Sequence, residues 1–119
     1  MSLPKAVLDL KLVKECRRLI IIVYKLTDLL PDSEKFGLIS QMRRAVVSVL
    51  LNIVEGYGRV TKNDRLHFYN ISRGSFCELE CQILILFDLK FINKEQFDYI
   101  CKEKDKVGGL LTNFIKSQK

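Results

Sequence analysis

Few of the 119 residues have side chains whose type and spacing could perform catalysis. His67 is the one histidine of the chain, so the paired Glu-x-x-His motifs of a di-iron site in a helical bundle are absent from the sequence. Cys77 and Cys81 share a helix face and could ligate a metal, but no Cys/His cluster supplies the remaining ligands, and packing residues are the favoured interpretation. The serines lie within predicted helices, and Gly56-Tyr57-Gly58 lacks the lysine of a phosphate-binding loop. The sequence therefore predicts no enzyme activity, no cofactor and no metal site.

A polar pattern on two neighbouring helices is the most informative feature of the chain. Residues on the first of them recur at steps of three and four, which places them on one face: Arg44, Ser48, Asn52, Glu55 and Arg59. The next helix adds small and acidic residues: Gly74, Ser75, Glu78, Glu80 and Gln82. A close approach at Gly74 and Ser75 would let Arg43 or Arg44 reach Glu78 or Glu80 and fix register and subunit contacts. A solvated polar face explains the same pattern equally well.

Basic residues form a candidate nucleic-acid contact. The net charge is +6, and a basic surplus favours an anionic partner through counterion release, although ordinary solubility charge is an equal alternative. The candidate residues lie on the outer face of the first helix and at a later turn: Lys11, Lys14, Arg18, Lys25, Arg59, Lys62 and Arg65. Residues 1–31 carry +3 and residues 93–119 carry +2, while 61–92 are neutral. Because the surplus is spread along the ends of the chain, the sequence gives no compact basic signature.

Hydrophobic periodicity predicts four helices, at about 7–30, 34–57, 62–89 and 93–117. The boundaries carry stop and start signals: Pro31 ends the first helix, Ser33 is a candidate N-cap, and Thr61 with Asp64 and Asn93 with Gln96 are candidate capping boxes. Gly56 and Gly58 mark the end of the second helix. Because every predicted connection is short, consecutive helices must be antiparallel neighbours. The predicted fold is all-α, an antiparallel up-down-up-down four-helix bundle in a single domain over residues 1–119.

A surplus of apolar residues on the first and third predicted helices indicates a second subunit. Ile21 and Ile22 lie off the main apolar seam, and the third helix carries a second apolar row of Tyr69, Phe76, Ile83 and Phe87. A helix that is apolar nearly all round is buried on more than one side. We therefore expect these six residues at an oligomer interface, with a wide core-facing stripe as the alternative.

The N-terminus lacks the basic-then-apolar layout of a signal peptide, and the longest apolar run, residues 19–23, is too short to span a bilayer. We therefore expect a cytoplasmic protein with reduced cysteines and no membrane association.

The polar residues also carry a family resemblance. The pattern Gln-x-Arg-Arg-Ala-x-x-Ser…Asn-Ile-x-Glu-Gly-x-Gly-Arg is matched by Gln41, Arg43, Arg44, Ala45, Ser48, Asn52, Ile53, Glu55, Gly56, Gly58 and Arg59, and the pattern Gly-Ser-x-x-Glu-Leu-Glu-x-Gln by Gly74, Ser75, Glu78, Leu79, Glu80 and Gln82. In these residues the chain resembles the bacterial, ribosomal protein-like four-helix bundle family encoded in 23S rRNA intervening sequences. The family usually has glycine where this chain has Lys90, at a predicted left-handed cap.

The resemblance implies a homo-oligomer, a pentameric ring, and a relationship to the accessory variability determinant of diversity-generating retroelements, which partners a reverse transcriptase and RNA. Two functions remain open from the sequence. One is an accessory bundle that binds RNA or DNA through phosphate contacts, because no groove-reading motif or aromatic stacking platform is evident. The other is a protein-interaction scaffold whose charges are merely solvated.

Overall fold

Helices make up every regular element in residues 3–119, the range that the computed structural model describes. They are α1 Lys5–Leu8, α2 Lys11–Thr27, α3 Ser40–Tyr57, α4 Lys62–Asp88 and α5 Lys94–Gln118, with a 3₁₀ turn at Asp32–Glu34 and a π turn at Lys35–Ile39 ahead of α3. The predicted all-α class is confirmed.

The four long helices enclose one apolar core. Helix α2 packs against α3 and α5, and α4 packs against the same two helices from the other side. The core takes the predicted seams of α2 and α3, among them Leu12, Cys16, Leu19, Val23, Met42, Val46, Val49 and Ile53. Each seam repeats at steps of three and four residues, so one face of each helix points inward along its whole length.

The first predicted helix, 7–30, is interrupted and ends early. The chain breaks between α1 and α2 at Asp9 and Leu10, and Leu10 has an extended backbone. In a continuous helix Val7 would lie about 140° round from Leu12, away from the core face. The break instead lets Val7 bury completely. At the other end α2 stops at Thr27, four residues before Pro31.

The second predicted helix begins at Ser40 instead of Glu34. Gly37 has non-helical backbone angles (φ −103°, ψ −108°) inside the π turn, so the regular helix cannot extend back through it. Ser33 lies within the 3₁₀ turn and makes no side-chain cap, so that prediction is wrong. The connection from α2 to α3 is consequently longer than the sequence predicted.

The predicted starts of the last two helices agree with the structure to within one residue. Thr61 caps α4 by accepting a 3.1 Å hydrogen bond from the Asp64 backbone N–H. Asn93 and Gln96 form a reciprocal capping box on α5, with both bonds at 2.8 Å, which confirms the prediction. These caps satisfy N–H groups that have no partner inside the helix.

Helix α4 is apolar on two sides because it packs against both α3 and α5. Tyr69, Phe76 and Ile83 are only 1%, 6% and 1% exposed in the single chain. Tyr69 meets Phe114 edge-to-face, and Phe87 stacks on Phe97, both partners being in α5. The prediction that this second row meets another subunit is therefore wrong for the three buried residues, because α5 already covers them.

One stretch, Asp32–Tyr57, is long and apolar enough to cross a membrane by length and composition alone. Only 28% of its apolar window is buried, and the buried part includes the core residues Met42, Val49 and Ile53. A single stretch of this kind is weak evidence for membrane insertion.

Candidate nucleic-acid interface

Three segments far apart in sequence meet at one end of the molecule. A groove of about 400 Å³ joins Pro4 and Val7 of the α1 segment to Val54 and Arg59 around the end of α3. The Lys62 ammonium at the start of α4 donates a 2.8 Å hydrogen bond to the backbone carbonyl of Lys119 beyond the end of α5. Residues 3–14, 55–67 and 110–119 therefore share this end, which we call the basic end.

The charge of the basic end accounts for most of the surplus of the chain. Its three segments carry eight basic side chains and three acidic ones, which is five of the six surplus positive charges. The basic residues are Lys5, Lys11, Lys14, Arg59, Lys62, Arg65, Lys116 and Lys119, and the acids are Asp9, Glu55 and Asp64. The linear sequence carries no compact basic signature, because it is helix packing that brings these three segments to one end.

Two of the predicted contact residues at this end are held in place by their own chain. Arg59 pairs with Glu55 one turn earlier, and its guanidinium lies 4.6 Å from the centre of the Phe68 ring. Arg65 donates hydrogen bonds of 2.7 Å and 3.3 Å to the Val60 and Arg59 carbonyls. These contacts fix the α3–α4 turn and present the cations in a defined arrangement.

Two other predicted contact residues lie elsewhere. Arg18 is engaged by Glu103 of α5, with which it makes a short charge-assisted hydrogen bond, and by Glu15 at 3.8 Å. Lys25 lies toward the opposite end of α2, beside an apolar groove. The structure therefore groups Lys11 and Lys14 with Arg59, Lys62 and Arg65, and separates Arg18 and Lys25 from them. Lys5, Lys116 and Lys119 were missed, although the predicted antiparallel order already placed both chain ends beside the α3–α4 turn.

Arg43 joins α3 to the end of α2. Its Nε donates a 2.9 Å hydrogen bond to Thr27 Oγ1, a second nitrogen donates at 2.7 Å to the Asp28 carboxylate, and the guanidinium lies 4.5 Å from the Tyr24 ring centre. The prediction that Arg43 reaches Glu78 or Glu80 is therefore wrong, because the α2–α3 turn supplies nearer acceptors.

The remaining motif residues line a cleft between α3 and α4. Ser48 and Ser75 share a 2.8 Å hydrogen bond, and the Asn52 amide donates to the Ser48 hydroxyl at 3.0 Å. Ser72 donates at 2.6 Å to the Val49 carbonyl. The predicted close approach is found at Ser75, where hydroxyls rather than ion pairs make the contact. It is wrong for Gly74, because an added Cβ there would meet nothing within 4 Å.

The acids of the motif do not pair with Arg44. Glu80 pairs at 3.0 Å with Lys104 of α5. Arg44 and Glu78 both line the α3–α4 cleft but form no ion pair with any residue in the described range. The predicted Arg44 pairing within the chain is therefore wrong.

The two glycines of the motif at the α3–α4 turn differ, because only Gly56 has a packing role. A Cβ added to Gly56 would lie 2.6 Å from the Tyr69 ring and 3.1 Å from the Arg65 carbonyl, so only glycine fits there without a shift. Gly58 is the C-cap of α3 with ordinary negative φ. A Cβ added to Gly58 would lie 3.7 Å from the nearest atom, an ordinary van der Waals distance, so the structure gives no steric reason for glycine at this position.

The thiols differ in burial. Burial raises the pKa of the Cys16 thiol to about 12, so it stays protonated. Cys77 and Cys81 are exposed on α4. His67 is exposed and packs edge-on against Phe68.

The α2 residues predicted at an oligomer interface line an apolar groove between α2 and α5. Ile21, Leu29 and Tyr99 are 55%, 71% and 50% exposed around it, and Ile22 is half-buried in its wall. Their exposure leaves them available to a partner, unlike the buried row of α4.

Comparisons with known proteins agree with this architecture. The model of the family described as 23S rRNA-intervening sequence protein matches residues 8–113. The chain is also similar to the crystal structure of a protein of unknown function from the S23 ribosomal protein family of Bacteroides thetaiotaomicron, with a TM-score of 0.80 and 23% identity over 88% of this chain and 95% of that one. At this identity the similarity shows the fold alone. No curated protein matches the chain significantly.

Proposed function

The chain belongs to the 23S rRNA-intervening sequence protein family, and we propose that it is a non-enzymatic, homo-oligomeric accessory protein that associates with RNA or DNA through its basic end. The observation that carries the proposal is the collection of five of the six surplus positive charges at that end. Ammonium and guanidinium groups there contact phosphates without reading base sequence, because phosphate contacts position a protein but do not specify bases.

Oligomerisation strengthens this proposal. One basic end offers a modest number of phosphate contacts, whereas linked copies bind one polyanion at several points and gain avidity.

Within each copy, we propose that the four long helices form an antiparallel up-down-up-down bundle. Two hydrogen bonds support this order of the helices: Arg43 joins the start of α3 to the end of α2, and Lys62 joins the start of α4 to the end of the chain.

Retention of single-stranded RNA across a salt series tests the proposal. We expect binding at low salt that weakens steeply as salt rises, because each neutralised phosphate contributes about 0.7 to the slope of log K against log salt for a single strand. The double variant Lys11→Gln/Lys14→Gln should lower the slope by about 1.4, since both side chains are exposed at the basic end.

The matched control removes two exposed lysines elsewhere, Lys25→Gln/Lys35→Gln, and lowers the net charge equally. It should leave the slope nearly unchanged. Equal effects of the two double variants, or no retention of the parent protein at low salt, would contradict binding through the basic end.

A second candidate function is a protein-interaction scaffold, which the apolar groove between α2 and α5 favours. The partner in this case would be another protein, such as a reverse transcriptase. Ile21→Asp at the groove should abolish capture of such a partner and leave RNA retention intact, whereas the basic-end variants should do the reverse.

A further inference from the structure

The α3–α4 cleft contains a buried acceptor that nothing in its own chain satisfies. Gln82 is 9% exposed, and its Oε1 has no hydrogen-bond partner among the described residues. Native proteins rarely leave a buried polar group without a partner. The cleft that Gln82 lines has a volume of about 330 Å³, which is within the range of clefts that hold small organic ligands. An occupant that donates to Gln82 would satisfy the acceptor.

Two charges face the same cleft from opposite helices. Arg44 of α3 and Glu78 of α4 both line it, and neither forms an ion pair with any residue in the described range. The 2.8 Å hydrogen bond between Ser48 and Ser75 joins the two helices, which run in opposite directions. Arg44 lies four residues before Ser48, and Glu78 lies three residues after Ser75, so both lie about one turn beyond this bond on the same side of it. The cleft therefore has a cation on its α3 wall and acceptors on its α4 wall.

The opposite charges of the two walls restrict the class of ligand. A phosphate or carboxylate would pair with Arg44, but it would repel Glu78 and has no N–H group for Gln82. A guanidinium or ammonium group would pair with Glu78 but would repel Arg44. The ligand must therefore present acceptors toward α3 and N–H donors toward α4.

Guanine carries both sets of groups on adjacent edges. Its O6 and N7 accept two hydrogen bonds from one arginine in a bidentate pair, which suits Arg44. Its N1–H and N2 amino group supply three N–H donors, and α4 offers three acceptors, the two carboxylate oxygens of Glu78 and the Oε1 of Gln82. The adenine and cytosine bases of a nucleotide have only two N–H donors and uracil has one, so each would leave an acceptor on α4 unsatisfied.

We propose that the α3–α4 cleft binds an unpaired guanine base, with Arg44 donating to O6 and N7, and with Glu78 and Gln82 accepting from N1–H and the N2 amino group. A partial rotation of the Gln82 amide about its last torsion, which is broad for such groups, turns Oε1 toward the base. Beside the cleft, a Cβ added to Gly74 would meet nothing within 4 Å, so this side of α4 is open to the ribose of the nucleotide.

This site deepens the proposed function and rests on it, because the base belongs to the strand that the basic end binds. Arg59, Lys62 and Arg65 lie at the basic end of the same two helices. From Arg65 to Ser75 helix α4 rises about 15 Å, a distance that a few nucleotides span. Proteins that read RNA sequence bind the edges of unstacked bases in single strands. The basic end then supplies affinity, and the cleft supplies a preference for guanine.

Guanosine 5′-monophosphate (GMP) and inosine 5′-monophosphate (IMP) test the site, because IMP lacks only the N2 amino group. Both carry the same phosphate, so any contact with the basic end cancels in the comparison. By isothermal titration calorimetry we expect the protein to bind GMP at least about tenfold more tightly than IMP. Gln82→Met removes the acceptor at similar volume, and it should weaken GMP binding by about threefold or more while leaving IMP binding unchanged.

Charge-neutralising variants test the two walls. Glu78→Gln and Arg44→Gln should each weaken GMP binding at least about tenfold, because each removes hydrogen bonds that involve a charged group. Both side chains are exposed, so we expect the variants to fold. Glu95→Gln and Arg17→Gln remove the same charges at exposed positions on α5 and α2, and these matched controls should leave the affinity for GMP unchanged.

Three results would overturn the inference: equal affinity for GMP and IMP, undiminished GMP binding by Glu78→Gln, or displacement of GMP by an equimolar amount of free alanine, a zwitterion without a base. Retention of a short oligouridine strand, with and without one central guanosine, separates this site from the basic end. If the guanosine adds no affinity but salt-dependent retention remains, the guanine site fails and binding through the basic end stands. If GMP binds selectively but neither strand is retained at low salt, the proposed function fails and the guanine site stands.

Discussion

Lys90 adopts a backbone conformation that disfavours its side chain. Its φ is +63°, in the left-handed region, directly after the C-cap of α4. The Lys90 and Phe91 N–H groups donate at 3.0 Å to the Phe87 and Leu86 carbonyls, the two bonds of a Schellman motif. The resemblance predicted a left-handed cap at this residue, and the structure confirms it.

Replacing Lys90 with glycine should stabilise the protein. The left-handed conformation costs a residue with a Cβ about 1 kcal/mol, and glycine adopts it freely. We expect Lys90→Gly to raise the free energy of unfolding by about 1 kcal/mol, measured by urea denaturation. Asp88→Gly, at the last residue of α4, should change it by less than about 0.5 kcal/mol, because Asp and Gly differ little in helix propensity. Destabilisation by Lys90→Gly would show that the lysine side chain contributes more than the cap geometry indicates.

At the scale of elements, the contact between α4 and α5 depends on a glycine. A Cβ added to Gly108 would lie 2.9 Å from the Phe76 ring, whereas at the adjacent Gly109 it would meet nothing within 4 Å. Phe76 is buried by this contact. Periodicity showed that α4 is apolar on a second side but could not show that a glycine of α5 makes room for its rings.

The adjacent glycines make a matched pair of variants. Gly109→Ala should raise the free energy of unfolding by about 0.5–1 kcal/mol, because alanine favours the helix. Gly108→Ala should lower it by about 1–3 kcal/mol, since the new methyl group displaces Phe76. Urea denaturation of both variants measures the difference. Equal stabilisation by both would mean that α5 does not pack on Phe76 as described.

Helix starts with a side-chain cap were more predictable than helix interruptions. The Asn93–Gln96 capping box is a local pattern whose hydrogen bonds involve only neighbouring residues, so the sequence contains all of its information. The break at Asp9 and the displaced start of α3 depend on tertiary packing. The break lets Val7 reach the core. Gly37 has non-helical backbone angles in the turn before α3, and Arg43 of α3 hydrogen-bonds to Thr27 of α2.

At the scale of the whole molecule, surface charge was the least predictable property. When charge is counted by sequence segment, the positive surplus is spread along the chain. The predicted antiparallel order of the helices nevertheless already implied that residues 3–14, 55–67 and 110–119 meet. The motif residues were identified from sequence, but their partners were not. Arg43 and Arg44 are adjacent in sequence, yet one bonds to α2 and the other faces the α3–α4 cleft.

The whole bundle is also closed by an ion pair between α2 and α5. Glu103 is almost fully buried and accepts hydrogen bonds from Arg18 and Lys106. The hydrogen bond from Arg18 holds the pKa of the Glu103 carboxyl below its ordinary value of 4.5, against the opposing effect of burial. A carboxyl whose pKa is lower in the folded state stabilises the fold above its unfolded pKa, and that contribution is lost as the pH falls through the folded pKa.

Glu103→Gln should therefore destabilise the protein in a pH-dependent way. At pH 7 we expect the free energy of unfolding to fall by about 1–3 kcal/mol, because Arg18 and Lys106 lose a charged acceptor. The difference from wild type should shrink as the pH falls below about 4.5, since protonation removes the same charge from wild type. Urea denaturation at pH 7, 5 and 3 measures it. Glu95→Gln, an exposed carboxyl in the first turn of α5, should change stability by less than about 1 kcal/mol. A difference for Glu103→Gln that stays constant down to pH 3 would show that the amide fails through packing, and that the charge of Glu103 does not hold α2 against α5.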